Sequence, residues 1–383
     1  SLTLAIAAKA KALKADGRDI CSLSAGEPDF DTPAFIRQAA ADALAAGQTR
    51  YGPAAGEPAL REAIATKLSH ENQVPTEAAQ VLVTNGGKQA LFNLFQVLLD
   101  PGHEVLLPAP YWLSYPEMVR LAGAAVKLLP SSAARGFRLD PTQLEAAISP
   151  ASRLLVLNSP SNPTGVVLRR DELEAIAAVV RRHPQLVVVC DEIYEYLVAP
   201  GHQHHGFAAV APDLADRTFV VNGFAKGWAM TGWRVGWLAG PQEVVAAASA
   251  LQSQSTSNVC SFAQHGALAA ISGSRDCVQA MAARFDQRRR LLSDGLAAIA
   301  DLTLVQPEGA FYAFPDVSAW GLDSMTLCRR LLEEEGLAVV PGAAFGDDRC
   351  IRLSCAASEA AISDGLARLN RFGAQLNAVA VHR

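Results

Sequence analysis

Lysine is scarce in this chain. Seven of its 383 residues are lysine and 26 are arginine, and residues 128–383 hold 21 arginines against one lysine, Lys226. Where a positive charge is enough, the sequence uses arginine. A guanidinium stays charged, whereas an amine can lose its proton and attack a carbonyl, so a lysine kept against this bias points to nucleophilic chemistry. Other shortages narrow the class. The seven cysteines, at 21, 190, 260, 277, 328, 350 and 355, stand singly with no C-x-x-C pair. That argues against a disulfide framework and for reduced thiols in the cytoplasm. No apolar run reaches the ~20 residues of a membrane span. Ser1 to Leu13 lacks the apolar stretch and cleavage site of a signal peptide. Net charge is −5 with the basic residues scattered, which argues against nucleic acid as the main partner. The densest basic run, Arg288-Arg289-Arg290, lies in a helical pattern and reads as a solvated helix face.

The middle of the chain alternates short β-branched apolar runs with helical patterns. Strands are expected at 80–84, 104–107, 153–157, 186–190 and 218–221, and helices at 88–99 and 171–182. Continuous apolar strands of this kind belong to a mostly parallel sheet buried on both faces, with ligands bound beyond the carboxyl ends of its strands. From about Pro241 helical spacing takes over at 244–255, 263–271 and 277–300. Short strands follow at 302–306, 310–314, 338–340 and 350–354. The expectation is an α/β domain with a mostly parallel sheet flanked by helices, plus a smaller α+β domain. The boundary is expected inside the long helix near residue 285.

The polar residues after each central strand carry the chemistry. Asn85-Gly86-Gly87-Lys88-Gln89 opens a helix with two glycines, which suits a phosphate held by backbone N–H groups; a tight strand-to-helix turn is the alternative. In Asn158-Ser159-Pro160-Ser161-Asn162-Pro163-Thr164-Gly165, two prolines stiffen a loop that presents Asn162. Asp191-Glu192-Ile193-Tyr194 places a carboxylate at a strand's carboxyl end with a phenol three residues on. Lys226 follows the next strand, with Arg234 eight residues later. Arg352 falls inside an expected buried strand, where it needs a bound anion or an acidic partner. One cofactor uses an amine, a carboxylate, a phenol, an amide, a phosphate cradle and two arginines together: pyridoxal 5′-phosphate.

With these segments the chain resembles a fold-type I, class I pyridoxal-phosphate aminotransferase over nearly its whole length. The resemblance also rests on Ser24-Ala25-Gly26-Glu27-Pro28-Asp29-Phe30, on Arg50-Tyr51-Gly52-Pro53-Ala54-Ala55-Gly56 and on the Lys226 to Gly236 segment. Gly86 to Phe95 and Pro110 to Val119 narrow it to bacterial aspartate aminotransferases of the subgroup lacking the second substrate arginine. It implies that Lys226 forms the Schiff base with the cofactor and then shuttles a proton, and that Asp191 pairs with the pyridine nitrogen. Tyr194 and Asn162 are implied at the ring hydroxyl, and Trp112 stacked on the ring. Gly86, Gly87, Lys88 (by backbone) and Arg234 are implied at the phosphate, with Tyr51 reaching it from a second subunit. Arg352 is implied at the substrate α-carboxylate, Gly26 beside the substrate backbone, and the Lys88 side chain at a distal carboxylate.

By the same resemblance the large cofactor domain spans 39–285, and the small domain takes 1–38 and 286–383. The protein is expected to be a cytoplasmic homodimer moving the amino group of L-aspartate to 2-oxoglutarate. Rival readings are an aromatic, prephenate or kynurenine-type aminotransferase, a C–S lyase, and a regulator that binds the cofactor without turnover. Lys226, Asp191 and Arg352 together favour catalysis over the last. The sequence departs from many relatives at Gly223 and Ala225, where serines are common, and at Cys355, where tyrosine is common. His202, His204 and His205 read as a surface loop rather than a metal site. Ser255 or Thr256 is expected near the site of the second subunit.

Overall fold

The computed structural model describes residues 2–381; Ser1, His382 and Arg383, the ends of the expected small domain, lie outside them. A seven-stranded sheet forms the centre. In chain order its strands are β1 (Val81–Thr84), β2 (Glu104–Ala109), β3 (Ala125–Pro130), β4 (Ser152–Asn158), β5 (Val187–Asp191), β6 (Thr218–Gly223) and β7 (Gly236–Ala239). Their spatial order is β1-β7-β6-β5-β4-β2-β3. All neighbouring pairs are parallel except those of β7, which runs antiparallel between β1 and β6. The expected fold class is therefore observed. β3 and β7 escaped the sequence reading: β3 is a largely uncovered edge strand, and β7 is only four residues long and begins with a glycine.

The strands form where the sequence supplies Val, Leu and Thr without polar interruption. Val81–Thr84 and Thr218–Gly223 are buried at every position, as expected for strands covered on both faces. Two apolar cores lie on the two faces. One holds Leu94, Phe95, Val105 and Val189, and the other Leu106, Leu155, Ile176 and Val188. Helices α1 (Pro58–His70) and α2 (Gly87–Leu98) pack beside β1.

A separate apolar core gathers Leu23, Phe285, Phe311, Leu331, Leu353 and Phe372 around three antiparallel strands, β8 (Tyr312–Ala313), β9 (Val340–Pro341) and β10 (Ile351–Ser354). The expected strand at 302–306 is absent. Only Thr303 forms a bridge, to Asp316, because the neighbouring residues have no partner strand. Helix α3 (Asp276–Ala297) corrects the reading of the arginine run. Arg290 is exposed, but Arg288 and Arg289 are buried. Arg288 reaches Asp29 at 2.7 Å and lies over the Phe30 ring, while Arg289 donates to the Ala310 carbonyl at 2.9 Å. The helix thus ties the segment after Gly26 to the strand that carries Tyr312. Among the described residues no helix is long and apolar enough to cross a membrane.

Candidate active site

Asn85, Asn158, Asp191 and the Lys226 loop all follow or end central strands on the carboxyl side of the sheet. A cavity of about 600 Å³ opens there. It is lined by Gly26, Gly87, Lys88, Trp112, Asn162, Asp191, Tyr194, Lys226, Arg234 and Arg352, residues expected from 200 and more positions apart in the chain.

Lys226 Nζ donates to the Gly26 carbonyl at 2.5 Å and stands 5.8 Å from the Tyr194 ring centre. Enclosure by the cavity walls, helped by the Arg352 and Arg234 charges, lowers its pKa to about 8 against the pull of Glu27 and Asp191. A sizeable neutral fraction of the amine therefore exists near physiological pH, as a nucleophile or proton carrier requires. Asp191 is buried, and desolvation raises its pKa to about 6, although hydrogen bonds from Tyr115 and the Ile193 N–H pull it down. Its ionised form has no cation in direct contact among the described residues and suits a protonated ring nitrogen.

Gly86 takes φ 80°, a conformation that favours glycine, just before α2. A Cβ there would lie 2.6 Å from Arg234 Nη2, so the bare backbone lets the guanidinium cover the helix N-terminus. Arg234 also donates to the carbonyls of Thr231 (2.8 Å) and Asn85 (3.3 Å). Gly223 explains its own departure from serine. A Cβ there would come within 2.9 Å of Gly236 Cα, and one on Gly236 within 2.5 Å of the Gly87 nitrogen. Three backbones touch beneath the cradle, so no hydroxyl fits at 223. Ala225 lines the cavity. Cys355 does not; its thiol is fully buried in the C-terminal core, and burial pushes its pKa up to about 12.

Arg352 is 2% exposed. It donates to Asn162 Oδ1 at 3.0 Å and to the Ser24 carbonyl at 3.1 Å, and its Nε has no partner. Burial lowers its pKa. No acid pairs with it among the described residues, so this guanidinium is a desolvated cation in the cavity wall, the condition for gripping a carboxylate. Lys88 lies at another wall with Nζ 5.0 Å from the Trp112 ring, and burial and the Arg234 charge depress its pKa.

Two cavity residues escaped the sequence reading. Tyr115 donates to Asp191 Oδ2 at 2.7 Å. Tyr312 shares a 2.8 Å hydrogen bond with Tyr194 and lies 4.4 Å beneath the Arg352 guanidinium. Tyr115 stands three residues after Trp112, a spacing that puts both near one turn and was the available signal; Tyr312, in a two-residue strand, offered none. Tyr51 is not brought into the cavity: it is 91% exposed, beside an opening it shares with Asn85 and Thr256. Thr256 accepts a hydrogen bond from Gln89 at 2.8 Å.

The histidine loop is a further correction. His202 is exposed, but the His204 side chain is 10% exposed and sits 3.4 Å from Glu192 Oε2. The chain folds the loop inward because Phe207 and Ala208 enter the core.

A buried amine and a desolvated carboxylate in one cavity, a helix N-terminus topped by arginine and a second, buried arginine in the cavity wall fit pyridoxal phosphate, and the fold places them where fold-type I enzymes hold it. The chain is a pyridoxal-phosphate-dependent transaminase by class. It belongs to the aminotransferase class I and II family, whose model matches residues 18–369. It is 44% identical to an aspartate aminotransferase of Geobacillus stearothermophilus over 97% of this chain and 96% of that one. It is 46% identical to an aspartate/prephenate aminotransferase of Thermus thermophilus over 97% and 95% of the two chains. A solved Thermus thermophilus aspartate aminotransferase with maleate superposes with a TM-score of 0.93 at 45% identity, over 97% of this chain and 96% of that one.

Proposed function

We propose that this chain transfers the amino group of L-aspartate to 2-oxoglutarate in alternating half-reactions. The observation that carries the reading is a pair of desolvated cations, Arg352 and Lys88, in the walls of one cavity that also holds Lys226. Two cations suit a substrate with two carboxylates. The names of the relatives support the same substrate class. When bound, the cofactor supplies an electron sink for negative charge at the substrate α-carbon.

In this reading the Arg352 guanidinium would hold the α-carboxylate and Lys88 Nζ would meet the distal carboxylate, which would orient the α-hydrogen toward Lys226. Neutral Lys226 Nζ takes that proton and carries it for the return step. Asp191 in its ionised form would keep the ring nitrogen protonated, Tyr194 and Asn162 would hold the ring hydroxyl, and Trp112 would lie against the ring. Gly86, Gly87, the Lys88 N–H and Arg234 hold the phosphate. The exposure of Tyr51 supports a homodimer in which this residue completes the partner's phosphate site. We assign residues 39–285 to a large domain and the remainder to a small one, and the protein to the cytoplasm.

A second reading widens the acceptor set, because relatives carry aspartate/prephenate names and prephenate is a 2-oxo acid that also bears two carboxylates. A half-reaction screen of single amino acids as donors and of 2-oxoglutarate and prephenate as acceptors, read by the spectral change of the bound cofactor, tests both. Aspartate and glutamate should react fastest, and Lys88→Ala should slow them about tenfold or more while sparing alanine and phenylalanine. Equal losses for all donors would place Lys88 in general cofactor binding.

A further inference from the structure

Behind the cavity, on the far side of the Asp191 to Glu195 turn, lies a buried charged cluster that the proposed reaction does not use. Glu192, Glu195 and Lys67 are 3%, 9% and 4% exposed. Lys67 Nζ, from α1, bonds Glu195 Oε1 at 2.5 Å and Asn72 Oδ1 at 2.7 Å. Asn72 Nδ2 donates to Glu195 Oε2 at 2.8 Å. Asn222, the penultimate residue of β6, donates to Glu195 Oε1 at 2.8 Å and accepts from the Gly223 N–H at 2.7 Å. Glu192 has only His204 as its ion-pair partner among the described residues, at 3.4 Å. Two carboxylates against one ammonium leave one buried negative charge unbalanced, and among the described residues His204 is the group placed to balance it.

We propose that His204 is a positioning residue: as an imidazolium paired with Glu192, it neutralises this cluster and clamps the turn bearing Asp191 and Tyr194 to the strand that leads into Lys226. The clamp is continuous in the hydrogen bonds. The Glu192 N–H donates to the Val221 carbonyl of β6 at 2.9 Å, the Glu195 N–H to the Glu192 carbonyl at 2.9 Å, and Asn222 closes the ring from β6. Both turn and strand end at the cavity, so a loosened cluster displaces Asp191 and Lys226 relative to each other.

Glu192, Glu195 and His204 each bring one ligand atom within 4.8 Å of one another, as a metal site also would. The Lys67 ammonium already occupies Glu195, and a divalent cation beside it meets like-charge repulsion, so an ion-pair cluster is the better account. The titratable groups around His204 are Glu192 and Glu195 from the turn, Lys67 from α1 and His205 from its own loop. Tyr196, Glu71 and Arg275 form the next layer through bonds of 2.7 and 2.6 Å. Burial opposes charge on the His204 ring, but the nearby Glu192 carboxylate at 3.4 Å and the charge of Glu195 outweigh it, and the group titrates above its ordinary value. A histidine raised in this way adds stability that is full below pH ~6.5 and lost as pH rises through the raised value.

The proposal rests on Asp191, Tyr194 and Lys226 holding the cofactor, and the test separates the two. The cofactor-loaded proteins compared are wild type, His204→Gln, Glu192→Gln and the Glu192→Gln/His204→Gln double variant. Thermal midpoints are read from pH ~5.5 to ~9, together with the rate of cofactor loss followed by absorbance. Wild type should exceed His204→Gln by about 2–4 °C at the acid end, with the gap closing as pH rises. His204→Gln should lose cofactor severalfold faster, and the double variant should recover most of both losses because its cluster is again neutral. If His204→Gln does not fold, His204→Lys should fold and keep its midpoint up to pH ~9. A pH-independent gap, or a double variant no better than the sum of its parts, would overturn the proposal. So would a Zn²⁺-induced rise in midpoint that His204→Gln abolishes. A wild-type protein that takes up no cofactor would instead overturn the transaminase reading, while the midpoints still report on the cluster.

Discussion

Replacing Tyr115 by phenylalanine tests whether Asp191 is tuned by its hydroxyl partner. The Tyr115 Oη donates to Asp191 Oδ2 at 2.7 Å in a buried setting, and the Ile193 N–H reaches the other oxygen at 3.2 Å. Burial nonetheless raises the carboxyl to about 6. A hydrogen bond to a charged group contributes ~1.5–3 kcal/mol and one to a neutral group ~1 kcal/mol. Loss of the hydroxyl therefore costs ~0.5–2 kcal/mol more when Asp191 is ionised, or ~0.4–1.5 pKa units, moving it to roughly 7. For an acid raised on folding, the unfolded chain ionises first. Stability falls as pH climbs from the ordinary value to the folded one and is level beyond it. In the variant that fall continues to roughly pH 7. Urea denaturation of the cofactor-free proteins should then show a gap of ~1 kcal/mol at pH ~5 that widens by ~0.5–2 kcal/mol at pH ~8. A gap of equal size at both pH values would refute the coupling of Tyr115 to the Asp191 charge.

Lys226→Ala should abolish turnover, and capture of added cofactor by cofactor-free wild type should accelerate with pH and level off above about 8, following the neutral amine; near-normal turnover in the variant would remove Lys226 from the mechanism. Arg352→Lys should raise KM for every amino-acid donor by ~10–150-fold, the equivalent of ~1.5–3 kcal/mol, because a single ammonium cannot reproduce the fork; steady-state kinetics report it. Gly236→Ala should lower stability by ~1–3 kcal/mol and weaken cofactor retention, since the added carbon meets backbone at 2.5, 2.7 and 2.9 Å that no rotamer change relieves. Melting with and without cofactor measures both effects.

Much of the central sheet was legible because its strands are apolar runs closed by turn residues, and because parallel strands put their functional loops on one edge. Val187–Asp191 and Thr218–Gly223 fall within a few residues of their expected spans. The weak element was one whose pairing would be long-range: residues 302–306 look like a strand but have no neighbour to pair with, whereas Tyr312–Ala313, inside the expected 310–314, has β10 beside it. Burial of the arginines in α3 was invisible for the same reason. Arg288 is 259 residues from its partner Asp29, and no local pattern records that contact.

The sequence by itself determined the chemistry: an amine where the chain otherwise uses arginine, a carboxylate and a phenol at one strand end, and glycines at another. Covalent and electrostatic roles demand particular residue types, and those are written locally. Only the tertiary structure decided which groups meet and how they are tuned. It lowered Lys226 to about 8 and raised Asp191 to about 6, set Tyr115 and Tyr312 against the expected residues, and drew His204 inward from an apparently exposed loop. Desolvation and partner geometry arise when segments up to 328 residues apart, such as Ser24 and Arg352, close on one cavity.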